Sequence, residues 1–64
     1  MKKLTNQEQK VLKLLIEGLS NKEIAEKLVI SIHTVKTHIE HIYRKLAVSS
    51  RVQAARIAYL KQGK

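Results

Sequence analysis

Apolar residues recur every three or four positions along most of this 64-residue chain, a spacing that places them on one face of an α-helix. Only short polar stretches interrupt the pattern, and the chain contains no proline that would break a helix. The pattern therefore predicts an all-α fold, a compact four-helix bundle in one domain over residues 1–64. The predicted helices lie at about residues 6–17, 21–28, 32–46 and 51–62.

Each predicted helix begins next to a residue that can cap it. Thr5 and Ser20 are each followed three residues later by a glutamate, which is the capping-box pattern. Ser31 is expected to cap the third helix, and Ser50, with a glutamine three residues later, the fourth. Gly18 is expected to end the first helix in a left-handed conformation.

The third predicted helix has one narrow apolar stripe, made by Val35, Ile39, Ile42 and Leu46. Angles around the helix are measured from Val35 at about 100° per residue. A strip of polar side chains lies opposite the apolar stripe, between about 140° and 200°, with Lys36 at its rim. The strip offers donors, acceptors and a methyl group, which are the groups that contact base edges in the major groove of DNA. The residues predicted to contact bases are His33, Lys36, Thr37, Glu40 and Arg44. A solvated polar face without a partner is the alternative.

A turn of only a few residues separates the second and third predicted helices, and the small Ala25 lies where the two should approach closely. This geometry is typical of a helix-turn-helix over residues 20–39, although an ordinary helical hairpin fits it equally well. The polar strip favours the helix-turn-helix, with residues 32–46 as the recognition helix.

Four further side chains are placed to contact the phosphates of DNA. Thr34, His41 and Lys45 lie on one flank of the predicted recognition helix, and Lys22 lies at the start of the second helix. Contacts of this kind position a protein on DNA without selecting a sequence. We predict that these four residues contact phosphates. Surface side chains without a partner are the alternative.

The net charge of +8 is unevenly distributed. Residues 1–31 hold six lysines and four glutamates, a net charge of +2, whereas residues 32–64 hold four lysines, three arginines and one glutamate, a net charge of +6. Double-stranded DNA is the predicted partner of this positive half, and an anionic membrane surface is the second candidate.

The composition excludes several other classes of protein. The chain has no cysteine and no aspartate, so it lacks disulfides and the aspartate on which a receiver domain is phosphorylated. No apolar run approaches the roughly 20 residues of a membrane span, so we expect a cytoplasmic protein with no membrane partner. His38 and His41 lie close together on one helix, but no further ligand completes a metal site. We therefore predict a protein that is not an enzyme and that uses no metal or cofactor.

The fourth predicted helix has a second apolar stripe besides the one that faces the core. Val52, Ala55 and Tyr59 make this stripe, at the spacing i, i+3, i+7. An exposed apolar stripe on so small a domain indicates a partner surface. We predict a homodimer through this helix, and the alternative is that Tyr59 folds over the edge of the core.

These residues together resemble the LuxR/GerE helix-turn-helix family, over nearly the whole chain. The matching stretches are Leu4-Thr5-x-x-Glu8-x-x-Val11-Leu12, Gly18-Leu19-Ser20-Asn21-Lys22-Glu23-Ile24-Ala25, Ile30-Ser31-x-x-Thr34-Val35-Lys36-Thr37-His38-Ile39, Lys45-Leu46 and Ser50-Arg51-x-x-Ala54. The resemblance implies a four-helix fold in which Lys36, Thr37 and Glu40 face the bases and the fourth helix dimerises. It also implies a receiver or ligand-binding domain before this one in a longer bacterial regulator, with RNA polymerase as a further partner. The chain is then either such an effector domain or a very short stand-alone regulator.

The chain departs from the family pattern at three positions. Gln7 stands where arginine is common, Ala47 where glycine is usual, and Glu40 where some relatives are basic. If residue 47 is left-handed, alanine there costs about 1 kcal/mol.

Sequence-specific binding of DNA as a dimer on an inverted repeat is thus the leading hypothesis. The alternatives are a sigma-factor-like promoter-reading domain, a cationic membrane-active helix and a protein-binding helical adaptor.

Overall fold

The computed structural model describes residues 3–63, with side chains described for residues 3–60. It contains α1 (Asn6–Ile16), α2 (Asn21–Leu28), α3 (Ile32–Leu46) and α4 (Arg51–Gly63). The predicted all-α, four-helix fold is confirmed, and the described residues contain no strand. The first helix ends one residue earlier than expected, and the last continues one residue further.

Reciprocal hydrogen bonds at their first turns determine where α1 and α2 begin. The Thr5 N–H donates to Glu8 Oε1 at 2.9 Å, and the Glu8 N–H donates to Thr5 Oγ1 at 3.1 Å. Ser20 and Glu23 repeat the arrangement at 2.8 and 3.1 Å. Both predicted capping boxes are present, and each satisfies two main-chain N–H groups that the helix itself leaves unpaired.

The start of α4 differs from a simple capping box. The Gln53 N–H donates to Ser50 Oγ at 3.3 Å, as expected for a capping serine. The Gln53 side-chain oxygen, however, accepts from the Ser49 N–H at 2.8 Å, one residue earlier than the pattern predicts. The glutamine therefore also stabilises the connection that precedes the helix.

The hydrophobic core lies where the four helices meet, and α1 contacts each of the other three. Its fully buried side chains include Val11 of α1, Ile24 of α2, Val35 and Ile42 of α3, and Ala54 of α4. Full burial of each larger side chain contributes about 1.5–3 kcal/mol. In the predicted apolar stripe of α3, Ile39 and Leu46 pack at the edge of the core rather than at its centre.

Among residues 3–63, three have a positive φ, and each lies just beyond the end of a helix. Gly18, at φ +96°, confirms the expected end of α1. Ala47, at φ 58°, confirms that this position is left-handed, so its side chain carries the strain anticipated above. Val29, at φ 57°, follows α2 and was not anticipated. A β-branched side chain is rare in this conformation and costs free energy there.

Candidate nucleic-acid interface

The side of α3 that faces away from the core carries the residues predicted to contact bases. His33, Lys36, Glu40 and Arg44 are all exposed, and Thr37 is half-buried among them. They span 11 residue steps of a continuous helix, about 16 Å of its length. Since Val35 and Ile42 anchor the opposite side of α3 in the core, these polar side chains are presented outward on a rigid support.

The hydroxyl of Thr37 is already engaged within α3. It donates to the main-chain carbonyl of His33 at 3.1 Å. The groups that Thr37 leaves for a partner are therefore its methyl group and the remaining lone pairs of its oxygen.

Thr34, one of the predicted phosphate contacts, takes part in the cap of α3. Its N–H donates to Ser31 Oγ at 3.0 Å, and the hydroxyl oxygens of the two residues lie 2.8 Å apart. The predicted cap at Ser31 is thus present. Thr34 itself is half-buried at the first turn of α3, and Lys22 is exposed at the first turn of α2.

A buried carboxylate links the flank of α3 to α1. Glu8 is only 3% exposed, and its Oε1 accepts from Lys45 Nζ at 2.7 Å as well as from the Thr5 amide. The Nδ1 atom of His41 lies 3.7 Å from Glu8 Oε2. Lys45 also donates to the main-chain carbonyl of Lys3 at 3.3 Å. From the sequence, Glu8 was predicted only as part of the cap. The cluster was missed because Glu8 is 33 residues from His41 and 37 residues from Lys45.

The cluster perturbs the carboxyl group of Glu8. Burial by itself would raise the pKa of Glu8, but hydrogen bonds from Lys45 and the Thr5 amide, and the positive charges of Lys45 and protonated His41, outweigh it. The pKa of Glu8 is therefore lowered from its ordinary value of 4.5. Glu8 is ionised at neutral pH and completes a tertiary ion pair.

Lys45 and His41 therefore have structural partners besides any phosphate. Two of the three N–H groups of the Lys45 ammonium are used within the domain, and 20% of the side chain is exposed. His41 is more accessible, with 47% of its side chain exposed. Phosphate contacts by these two residues stay predictions, and the structure leaves more of His41 than of Lys45 available for them.

The outward face of α4 carries exposed apolar side chains together with the exposed Arg56. Val52, Tyr59 and Leu60 are 68%, 72% and 67% exposed, and Ala55 is half-buried. Leu60 was not predicted for this surface, although it lies eight positions after Val52 and so falls on the same side of the helix. The Arg51 guanidinium donates to the main-chain carbonyl of Leu19, which ties the start of α4 to the connection between α1 and α2.

The described part of the chain contains no helix that is long and apolar enough to cross a membrane. It also contains no group of three or more potential metal ligands. His38 is half-buried, and its Nδ1 atom has no hydrogen-bond partner in the described region.

Comparison with known proteins identifies the class of protein. Residues 2–58 match the family described as "Bacterial regulatory proteins, luxR family", so the chain belongs to that family. It is a DNA-binding helix-turn-helix domain of the kind found in bacterial transcription regulators, not an enzyme. This assignment favours the DNA-binding interpretation over the membrane and adaptor alternatives.

Individual relatives are similar over most of this chain. The chain is 55% identical to the transcriptional regulatory protein LiaR of Bacillus subtilis, over 88% of this chain and 26% of LiaR. It is 56% identical to the nitrate/nitrite response regulator protein NarP of Escherichia coli, over 92% of this chain and 27% of NarP. A crystal structure of the response regulator ChrA, from a heme-sensing two-component system, superimposes with a TM-score of 0.89 at 44% identity, over 97% of this chain and 31% of ChrA.

The chain spans only part of the length of the curated relatives that it matches. The share is 6% of a putative HTH-type transcriptional regulator of Mycobacterium tuberculosis, Rv0890c, which is 54% identical over 78% of this chain. The chain covers about a quarter of the length of LiaR and of NarP.

Proposed function

We propose that this domain binds a specific double-stranded DNA sequence, with α3 in the major groove, and thereby regulates transcription. The observation that carries the proposal is the exposed polar strip on α3, held in position by the buried Val35 and Ile42. Lys36 donates to guanine, the Thr37 methyl group contacts thymine, and Glu40 accepts from cytosine. His33 and Arg44 extend these contacts at the two ends of the strip.

Phosphate contacts position the domain over this base sequence. About four contacts per subunit are proposed. Two come from the cationic side chains of Lys22 and Lys45, and two come from Thr34 and His41 on α3. The Lys22 ammonium and the main-chain N–H groups at the first turn of α2 favour an anion at the same place.

The active species on DNA is a homodimer paired through α4. Val52, Ala55 and Tyr59 form the pairing surface, and the exposed Leu60 enlarges it. A two-fold symmetric dimer requires a target with the same symmetry, so the binding site is an inverted repeat.

In its biological setting the domain acts on chromosomal DNA in the bacterial cytoplasm. The similarity to response regulators supports a receiver domain as the part of the full-length protein that controls DNA binding. RNA polymerase is the partner through which DNA binding changes transcription.

The test is selection of binding sequences from random duplex DNA, followed by protection mapping and titration in increasing salt. We expect an inverted repeat and a slope of log affinity against log salt of about −4, since Lys22 and Lys45 neutralise about four phosphates per dimer. Affinity then falls by about two decades between about 50 and 200 mM salt. Absence of a preferred sequence, or affinity insensitive to salt, would refute the proposal.

A pair of variants separates base contacts from general charge. Lys36→Ala removes a proposed base contact, whereas Lys10→Ala removes an equal charge from an exposed site on α1. Only the first should relax the sequence preference at one or two base pairs. Equal changes in the two variants would show that Lys36 acts as one surface charge among many.

A further inference from the structure

A large apolar side chain is exposed at the start of the recognition helix. Ile32 is the first residue of α3, and 43% of it is accessible to solvent. Close by, Val29 is 88% exposed in the turn that precedes α3. Together, Ile32 and Val29 expose apolar surface next to each other at the start of α3, where a partner bound along α3 would cover it.

The surroundings of Ile32 place it within the proposed DNA-binding surface. Lys36 lies four residues later, directly beside it on the helix surface. On the other side, Ile32 lines a shallow groove together with Val29 and Lys22. Ile32 therefore lies between a proposed base contact and a proposed phosphate contact.

The chemistry of Ile32 restricts what it can recognise in the major groove. Its side chain neither donates nor accepts a hydrogen bond, so it cannot distinguish bases by their polar groups. The 5-methyl group of thymine is the apolar group that base pairs present in the major groove. Contact between the two removes apolar surface of both from water.

We propose that Ile32 contacts the 5-methyl group of a thymine, at a base pair beside the one that Lys36 contacts, and so adds a preference for thymine to the recognition sequence. This inference rests on the proposed function, because it requires α3 to lie in the major groove. It assigns specificity to an apolar residue outside the polar strip.

The experiment replaces each thymine of one half-site in the selected duplex, one at a time, with deoxyuridine, which lacks the 5-methyl group. For the unmodified domain, affinity should fall about fourfold at two positions, the thymine assigned to Thr37 and the one assigned to Ile32, because each replacement removes one buried methyl group. In Ile32→Ala one of these two responses should disappear and the other should remain. Each comparison uses one protein preparation on two duplexes, so a reduced folded fraction in a variant does not change the ratio.

Val29→Ala is the matched control, since it removes exposed apolar surface next to α3 but not on it. This variant should keep both fourfold responses to deoxyuridine. If the domain binds its selected site but Ile32→Ala responds at the same thymines as the unmodified domain, the inference is wrong and the proposed function stands. An unchanged response in Ile32→Ala would be expected if the exposed surface of Ile32 and Val29 contacts a protein partner instead of DNA. If no duplex is selected, the proposed function itself fails.

Discussion

Replacing Lys45 with methionine should remove a substantial part of the stability of this small domain. The substitution leaves the Glu8 carboxylate, 3% exposed, without the ammonium that lies 2.7 Å from its Oε1. Loss of one partner costs about 3–5 kcal/mol for a fully buried pair, whereas an exposed pair contributes about 0.2–1 kcal/mol. Because the Lys45 side chain is 20% exposed, solvent screens the pair in part, and we expect a loss of about 2 kcal/mol.

A loss of this size is readily measured. The free energy of unfolding of a 64-residue domain is about 3–10 kcal/mol, so the variant should lose a fifth or more of it. Urea unfolding followed by circular dichroism at pH 7 gives the difference directly. Lys10→Met is the control, because Lys10 is an exposed residue of α1, and its replacement should change stability by less than about 0.5 kcal/mol.

A double-mutant cycle isolates the pair from other effects of the substitutions. Glu8→Gln, Lys45→Met and the combined variant should yield a coupling energy of about 2 kcal/mol, because the two side chains are in direct contact. If the two single effects simply add, the ion pair contributes nothing and the reasoning is refuted.

The pH dependence of stability tests the charge of Glu8 separately. A carboxyl group whose pKa is lowered on folding stabilises the protein above its ordinary pKa of 4.5, and this stabilisation is lost as the pH falls through the lower, folded-state value. Glu8→Gln lacks this contribution at every pH. Its difference in stability from the unmodified domain should therefore narrow from pH 7 towards about pH 3. A constant difference over that range would show that charge is not the cause.

Three further predictions concern the left-handed residues and the two proposed binding surfaces. Ala47→Gly should raise the free energy of unfolding, measured in urea, by about 1 kcal/mol, because glycine relieves the strain at φ 58°. Val29→Gly should also raise the free energy of unfolding, and destabilisation in both variants would contradict the reasoning. Lys36→Ala should cost about 1–3 kcal/mol of binding free energy on the selected duplex and little on unrelated duplexes, as measured by fluorescence anisotropy. Tyr59→Glu should weaken binding to the full inverted repeat in a gel-shift assay but leave half-site binding unchanged, and equal loss on both would exclude α4 as the pairing surface.

Short-range sequence patterns predicted most of the fold. The Thr5 and Ser20 capping boxes and the serine at position 31 act within one helical turn, so the residues that make them are visible in the sequence itself. The apolar stripe of α3 is similarly local, since its period is that of the helix. The outward polar strip follows from the same periodicity, which is why sequence alone predicted that the residues proposed to contact bases lie on the side of α3 away from the core.

Features that depend on tertiary contact or on backbone strain were missed. The contact of Glu8 with Lys45 joins residues 37 positions apart, and no local pattern reports which side chains of α1 meet α3. The left-handed Val29 was missed because valine is among the residues least suited to that conformation. The exposure of Ile32 was also not anticipated, because an apolar residue at a helix start is usually assigned to the core by its type.

The connection between α3 and α4 is only four residues long, from 47 to 50. Its first residue is the left-handed Ala47, and the Val48 N–H donates back to the Tyr43 carbonyl at 2.9 Å. Such a short and hydrogen-bonded connection leaves little freedom in the angle between the two helices. In the proposed dimer, this connection therefore determines the distance between the two halves of the DNA target, independently of the side chains proposed to contact bases. Lengthening it by a residue or two is thus a route to domains that accept targets of different spacing but the same half-site.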